Sequence, residues 1–223
     1  MTETPKYMIH ACPQRMWYVT EFLVPSMLEQ GIPEADITIW NDTEKRGNLA
    51  ACMAAFESLP DDGGTWHLQD DVVISADFAK KTKGHDAGVV YGFCNRWFKD
   101  DPAITGTVYA EDAWHSFQCV RIPNRYAKEA VEWIKSGAPE AIAEAAILIK
   151  LNKGDDSLFR EYFLEKHGRE TAVNLAPNIV NHIDYMIGGP VTNQWRGFIT
   201  GSDIWEDSTI LYELRQKLKE RGH

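Results

Sequence analysis

The 223-residue chain has only four cysteines, Cys12, Cys52, Cys94 and Cys119, and no two of them form a CxxC pair. A zinc knuckle is therefore excluded, and reduced thiols in a cytosolic protein are the simplest expectation. No run approaches the roughly 20 apolar residues that cross a bilayer, so no transmembrane segment is expected. The start of the chain, Met1-Thr-Glu-Thr-Pro-Lys, is polar and does not resemble a secretory signal. Positive charge is also short: 23 Lys and Arg against 33 Asp and Glu leave a formal net charge of −10. Such a chain repels a phosphate backbone, which disfavours broad nucleic-acid binding. No internal repeat and no low-complexity tract interrupts the sequence. These absences lead to the expectation of a soluble cytoplasmic protein.

What is present fits one domain of ordinary size. Hydrophobic residues make up 44% and charged residues 25%, a globular composition. Eight Trp residues are many for this length. Trp97, Trp114 and Trp195 can stack on sugars, although large rings more often fill cores.

Along the first ninety residues, strand and helix patterns alternate. Lys6 to Cys12 reads as a strand, Trp17 to Gln30 as a helix ended by Gly31, and Asp36 to Trp40 as a β-branched strand. Asn48 to Leu59 reads as a helix, Thr65 to Leu68 as a strand, Asp77 to Lys83 as a short helix and Ala87 to Phe93 as a strand. That alternation predicts an α/β fold with a mostly parallel sheet flanked by helices. Further on, Trp114 to Arg121 reads as a strand, and Pro123 to Ser136 and Pro139 to Leu151 as helices. Ser157 to His167 reads as a helix, Asn174 to Asp184 as an extended stretch, and Asp207 to His223 as a charged, exposed helix.

Three segments carry candidate chemistry. Gln69-Asp70-Asp71 closes a strand and runs into Val72-Val73-Ile74. Two adjacent acids there are costly unless something positive neutralises them, and carboxylate oxygens suit Mg²⁺ or Mn²⁺. One Asp capping a turn while the other faces water would give the same sequence. His182 stands in an apolar stretch before a glycine turn; such a residue is most often structural, yet Mn²⁺ accepts a mixed carboxylate–imidazole shell. Asp155 and Asp156 open a helix, where acids usually cap, and where one could instead deprotonate an attacking hydroxyl.

In this order the segments resemble the GT-A class of glycosyltransferases, most closely its small bacterial and phage-type members. The resemblance covers roughly residues 6–190, with residues 191–223 as a C-terminal extension ending in a helix. It implies a single-domain, GT-A-like (Rossmann-like) catalytic fold. Gln69-Asp70-Asp71 matches the family's DxD-type motif, reading Gln-Asp-Asp instead of Asp-x-Asp. Asp71 is then the direct metal ligand, and Asp70 lies nearer the donor ribose or sugar. His182 matches the late His that completes the metal shell. Asp156, with Asp155 beside it, matches the base of inverting enzymes.

The same resemblance implies that Cys12, Pro13 and Arg15 cradle the nucleotide after the first strand. Asn41 and Asp42 sit near base and ribose, and Arg46 and Asn48 approach the donor phosphates. The implied activity is Mn²⁺- or Mg²⁺-dependent transfer from a nucleotide-sugar donor to an acceptor hydroxyl. Its acceptor, whether glycan, protein, lipid head group or modified DNA, has no mark in the sequence. Two other readings share these residues: a metal-dependent nucleotidyltransferase, which usually shows a glycine-rich loop that is missing after the first strand, and a non-catalytic accessory protein with solvated acids. A metal nuclease is disfavoured by the acidic charge and by the lack of a Lys beside the acid pair.

Overall fold

The computed structural model describes residues 4–85, 88–93, 106–109, 117–137, 158–159, 162–163, 166–167, 172–176, 178–183, 187 and 209–220. The expected helix from Pro139 to Leu151, the acids Asp155 and Asp156, Cys94, and Trp97, Trp114 and Trp195 lie outside the described residues.

The chain opens with β1 (Lys6–Ala11), followed by a helical stretch of three pieces: α1 (Met16–Tyr18), a π-helical turn (Val19–Leu23) and α2 (Val24–Glu29). Pro25 explains the widened turn. It has no N–H to return to the carbonyl of Glu21, so the ladder adjusts just before it. Then come β2 (Ile37–Asn41), α3 (Asn48–Glu57), β3 (Gly64–Gln69), β4 (Val72–Ile74), α4 (Phe78–Lys81) and β5 (Val89–Tyr91). The second half supplies β6 (Gly106–Tyr109), β7 (Cys119–Pro123), α5 (Asn124–Lys135), β8 (Ala172–Ala176), β9 (Val180–His182) and α6 (Thr209–Glu220).

Seven strands form one sheet in the order β2-β1-β3-β7-β5-β8-β6. β1 pairs in parallel with β2 and with β3, and β5 pairs in parallel with β8. β7 runs against β3 and β5, and β6 runs against β8, so these two strands oppose the other five. The expected α/β class and mainly parallel strand direction therefore hold, in a mixed sheet. β4 and β9 leave it to form a separate antiparallel pair.

Alternation along each strand divides two cores. Tyr7, Ile9, Trp66, Leu68 and Val90 face a core shared with the α1–α2 stretch and α4, while Met8, Val89, Tyr91, Val120 and Ile122 face one shared with α3 and α5. α6 differs from expectation: Leu214 and Leu218 are buried in the first core, and the Lys217 ammonium lies 4.6 Å from the Phe22 ring centroid. Glu213, Lys217, Lys219 and Glu220 are exposed, while the apolar face docks.

Gly92 locks the second half onto the first. Its N–H donates to the Cys119 carbonyl (2.9 Å) and its carbonyl accepts from the Ile179 N–H (2.8 Å). A Cβ there would stand 2.7 Å from both Cys119 Sγ and Ile179 Cγ1. Gly92→Ala is therefore expected to cost about 1–3 kcal/mol, as overpacking of a filled core does, measured by urea denaturation. A cost below about 0.5 kcal/mol would show that the segment leading to β9 yields freely.

Candidate active site

The strand order places a crevice before any side chain is considered. From β1 the chain crosses to β2 on one side, then returns past β1 to β3 on the other. The α1–α2 stretch packs in the first core and α3 in the second, so the connections leave on opposite faces of the sheet. In open α/β sheets, ligands bind outside the carboxyl ends of the strands at such a reversal. The loops there are residues 12–15, 42–47 and 70–71.

The centre of that edge is a buried charge cluster. Arg15, Asp70 and Asp71 are only 4%, 5% and 6% exposed. Arg15 Nη1 donates to Asp70 Oδ1 (3.0 Å) and makes a closer contact with Asp71 Oδ2. The Cys12 backbone N–H donates to Asp70 Oδ2 at 2.7 Å. His182 arrives through pairing of β4 with β9, which sets it opposite Val72, and the Ile183 N–H donates to the Asp71 carbonyl at 2.8 Å. His182 Nε2 then lies 3.1 Å from Asp71 Oδ2. A side chain 111 positions along the chain from Asp71 is thus fixed by backbone register. The Tyr18 hydroxyl donates to the Val72 carbonyl (2.7 Å) and braces the same turn.

The two acids are electrostatically unlike. Burial alone would raise Asp71, but His182 and Arg15 outweigh it and hold its carboxyl down at about 2. Asp70 is raised, by burial first and then by the charge of Asp71, with Arg15 and the Cys12 N–H in partial opposition. The Cys12 thiol is pushed up to about 11 by burial and by Asp70, which leaves it protonated and unsuited as a nucleophile.

The other expected residues line the same edge. The Asp42 N–H donates to the Ala11 carbonyl (2.8 Å), which fixes the end of β2 beside the end of β1. Arg46 reaches Asp42 (3.6 Å) and Glu44 (2.7 Å), with its guanidinium carbon 5.5 Å from the Trp40 ring centroid. Gly47, at φ +85°, turns the chain into α3 at Asn48, and a side chain there would be strained. Gln69 ends β3, its N–H donating to the Gln118 carbonyl (3.1 Å), and Pro13 is exposed in the loop after β1. The structure thus brings Cys12, Arg15, Asp70, Asp71 and His182 into one cluster, with Pro13, Asn41, Asp42, Arg46, Asn48 and Gln69 along the same edge.

Two buried acceptor oxygens at this edge, Asn41 Oδ1 and Asp71 Oδ1, have no hydrogen-bond partner among the described residues, and a third, Asp42 Oδ1, has no hydrogen bond there but meets the Arg46 guanidinium at 3.6 Å. Burying an acceptor without a partner costs about 1–3 kcal/mol, so such atoms mark places where a ligand supplies what the fold does not. Among the described residues no group of three or more His, Cys, Asp and Glu side chains is arranged to hold a metal ion by itself. Asp71 and His182 still suit a divalent cation. The two meet each other directly at 3.1 Å, and their donor types, a carboxylate oxygen and an imidazole nitrogen, fit Mn²⁺ or Mg²⁺, which ordinarily completes its shell with water and substrate phosphate.

A histidine pair beneath this edge was not apparent from the sequence. His10 and His67, on adjacent strands, share a hydrogen bond of 2.8 Å, with the Phe56 ring centroid 4.7 Å from that of His67. Burial pulls His10 down to about 4 and His67 well below its ordinary value, so both are neutral at physiological pH. The signal that could have found them is their shared inward parity: His10 alternates with Ile9 and Ala11, and His67 with Trp66 and Leu68. A shallow concavity at the opposite, amino-terminal ends of β1 and β3 is lined by Thr4, Gly64, Trp66 and Arg121. It is closed by its own side chain, since the Arg121 guanidinium occupies the space beside Gly64.

Cys52 and Cys119 are buried and form no disulfide among the described residues, whereas Cys12 belongs to the site. No helix among the described residues is long and apolar enough to cross a membrane.

No family model matches the chain, and no curated protein matches it in sequence. Solved structures resemble it at a distance. The galactosyltransferase LgtC, in complex with donor and acceptor sugar analogs, is 9% identical, with a TM-score of 0.46 over 96% of this chain and 95% of that one. The inositol-1-phosphate CTP transferase from T. maritima is 10% identical, with a TM-score of 0.43 over 99% and 98%. A putative glucose-1-phosphate thymidylyltransferase from Bacillus anthracis is 9% identical, with a TM-score of 0.40 over 76% and 85%. At these distances no residue's role is carried across from any of the three.

Proposed function

We propose that this chain is a metal-dependent glycosyltransferase that moves a sugar from a nucleoside-diphosphate sugar to an acceptor hydroxyl. The observation that carries the reading is the pair Asp71 and His182, 3.1 Å apart at the reversal of strand order, with Asp71 Oδ1 buried and lacking a hydrogen bond among the described residues. Asp71 and His182 would hold Mn²⁺ or Mg²⁺, which when bound neutralises charge on the departing nucleoside diphosphate. Asn41 and Asp42 offer acceptors to the hydroxyls or ring N–H groups of the nucleoside. Asp70, on the strength of the sequence resemblance, would lie nearer the donor ribose or sugar, with the Cys12 N–H holding one of its oxygens. Asp156, with Asp155, takes the base role on the strength of the sequence resemblance, and direct attack by the acceptor would then invert the anomeric carbon. Residues 1–190 form the catalytic part in this reading, and residues 191–223 an extension.

The experiment is a donor screen with Mn²⁺. UDP-, GDP-, CDP- and ADP-sugars are incubated with the protein, and released nucleoside diphosphate is measured. In parallel, nucleoside triphosphates with sugar phosphates are assayed for pyrophosphate. Metal-dependent release of one diphosphate, lost in His182→Ala, is the expected result. Pyrophosphate release instead would replace the reading with nucleotidyl transfer, and neither product would favour a binding role.

A further inference from the structure

Arg15 pairs with the two acids beside which a bound cation would act. Its guanidinium is buried, and a single nitrogen, Nη1, bridges both acids of the turn. On Asp71 it uses Oδ2, the same oxygen that faces His182. Neutralising two adjacent buried carboxylates is a necessity for the free protein, since an unpaired buried charge is strongly unfavourable. A divalent ion held by Asp71 and His182 would sit beside the guanidinium, and the two positive charges would repel each other in a poorly screened setting.

We propose that Arg15 is a resident counter-ion that competes with the divalent cation for Asp71 and yields when a diphosphate arrives to receive its guanidinium. This rests on the metal-dependent reading above. Asp70 can be left behind because the Cys12 N–H holds its other oxygen at 2.7 Å. A guanidinium is well suited to the exchange, presenting the same fork of donors to phosphate as to carboxylate. The consequence is coupled binding. Metal alone must work against Arg15, whereas metal with a nucleoside diphosphate offers Arg15 a new anionic partner. Each ligand then tightens the other by the same factor. The device also guards the site, because the acid pair never stands unneutralised.

The test is Mn²⁺ binding measured by the electron paramagnetic resonance of the free ion. Wild type, Arg15→Lys and Arg15→Met are titrated with Mn²⁺ alone, and wild type and Arg15→Met again with UDP, GDP, CDP or ADP. Arg15→Met is expected to bind Mn²⁺ alone roughly tenfold or more tighter than wild type, with Arg15→Lys in between, since a shorter, more strongly hydrated ammonium keeps the charge but is a poorer buried partner for the acids than a guanidinium. The effective diphosphate should tighten Mn²⁺ by roughly tenfold or more in wild type, and by much less in Arg15→Met. If Arg15→Met does not fold, the Arg15→Lys titration decides on the same criterion. Substituted proteins that bind Mn²⁺ no tighter, while wild type binds it with a diphosphate, would overturn the competition and leave the transferase reading standing. No Mn²⁺ binding by any protein under any condition would overturn both.

Discussion

Asp71→Ala is expected to destabilise the fold by about 3 kcal/mol, the low end of the cost of removing one partner from a buried ion pair. The low end applies because Arg15 keeps Asp70 at 3.0 Å, while His182 loses its carboxylate. Asp70→Asn should cost less, about 1 kcal/mol, because an amide oxygen still accepts from the Cys12 N–H and a like-charge repulsion is relieved. Urea denaturation at neutral pH measures both. The order matters more than the sizes, since only Asp71 is held below its ordinary value by the groups around it. An Asp70→Asn that costs more than Asp71→Ala would place the favourable charge on the wrong residue.

The second large effect is acid sensitivity between pH 6.5 and about 4. His10 and His67 titrate near 6.5 in the unfolded chain and lower in the fold, His10 at about 4. In that window the unfolded state binds more protons, so stability is fully present above pH 6.5 and falls as pH drops. The slope reaches about 1.4 kcal/mol per pH unit for each histidine. Asp71 adds nothing there. With a depressed pKa, its contribution is present above the ordinary carboxylate range and is lost only as pH falls through about 2. Asp70, raised, works in the opposite sense and gains stability as pH falls. His10→Gln isolates the histidine term: the loss between pH 6.5 and 4.5 should shrink by about half, one titrating group remaining of two. A wild-type stability that is flat across this window would contradict a buried neutral pair.

Much of the site could be read in the sequence because it is made of local pieces at strand ends. The alternation of periods located β1, β2, β3 and β5, and the polar interruptions at Asn41-Asp42 and Gln69-Asp70-Asp71 fall where the strands stop. What could not be read are pairings between distant segments. Val72–Ile74 is too short to show a period, so β4 was not read; β9 lies within the stretch Asn174 to Asp184 that reads as extended, but its pairing with β4, and the register that brings His182 to Asp71, could not be read. Arg15 read as part of a loop for the nucleotide; its hold on both acids depends on how the turn at 12–15 lies beside β3. The strand at Gly106–Tyr109 was missed because four residues are too few to show a period, and the buried face of α6 because a charge-rich helix hides its apolar side among polar neighbours.

The most direct test of a nucleotide site at the ends of β1, β2 and β3 is the melting temperature with UDP, GDP, CDP and ADP, each with and without Mn²⁺, on wild type and Asp71→Ala. A diphosphate at 100 times its dissociation constant should stabilise by about 2.7 kcal/mol, a shift of a few degrees. One diphosphate that raises the wild-type midpoint only with Mn²⁺, and leaves Asp71→Ala unmoved, is the expected result. Equal shifts in both proteins, or none with any nucleotide, would contradict a metal-dependent donor site built on Asp71.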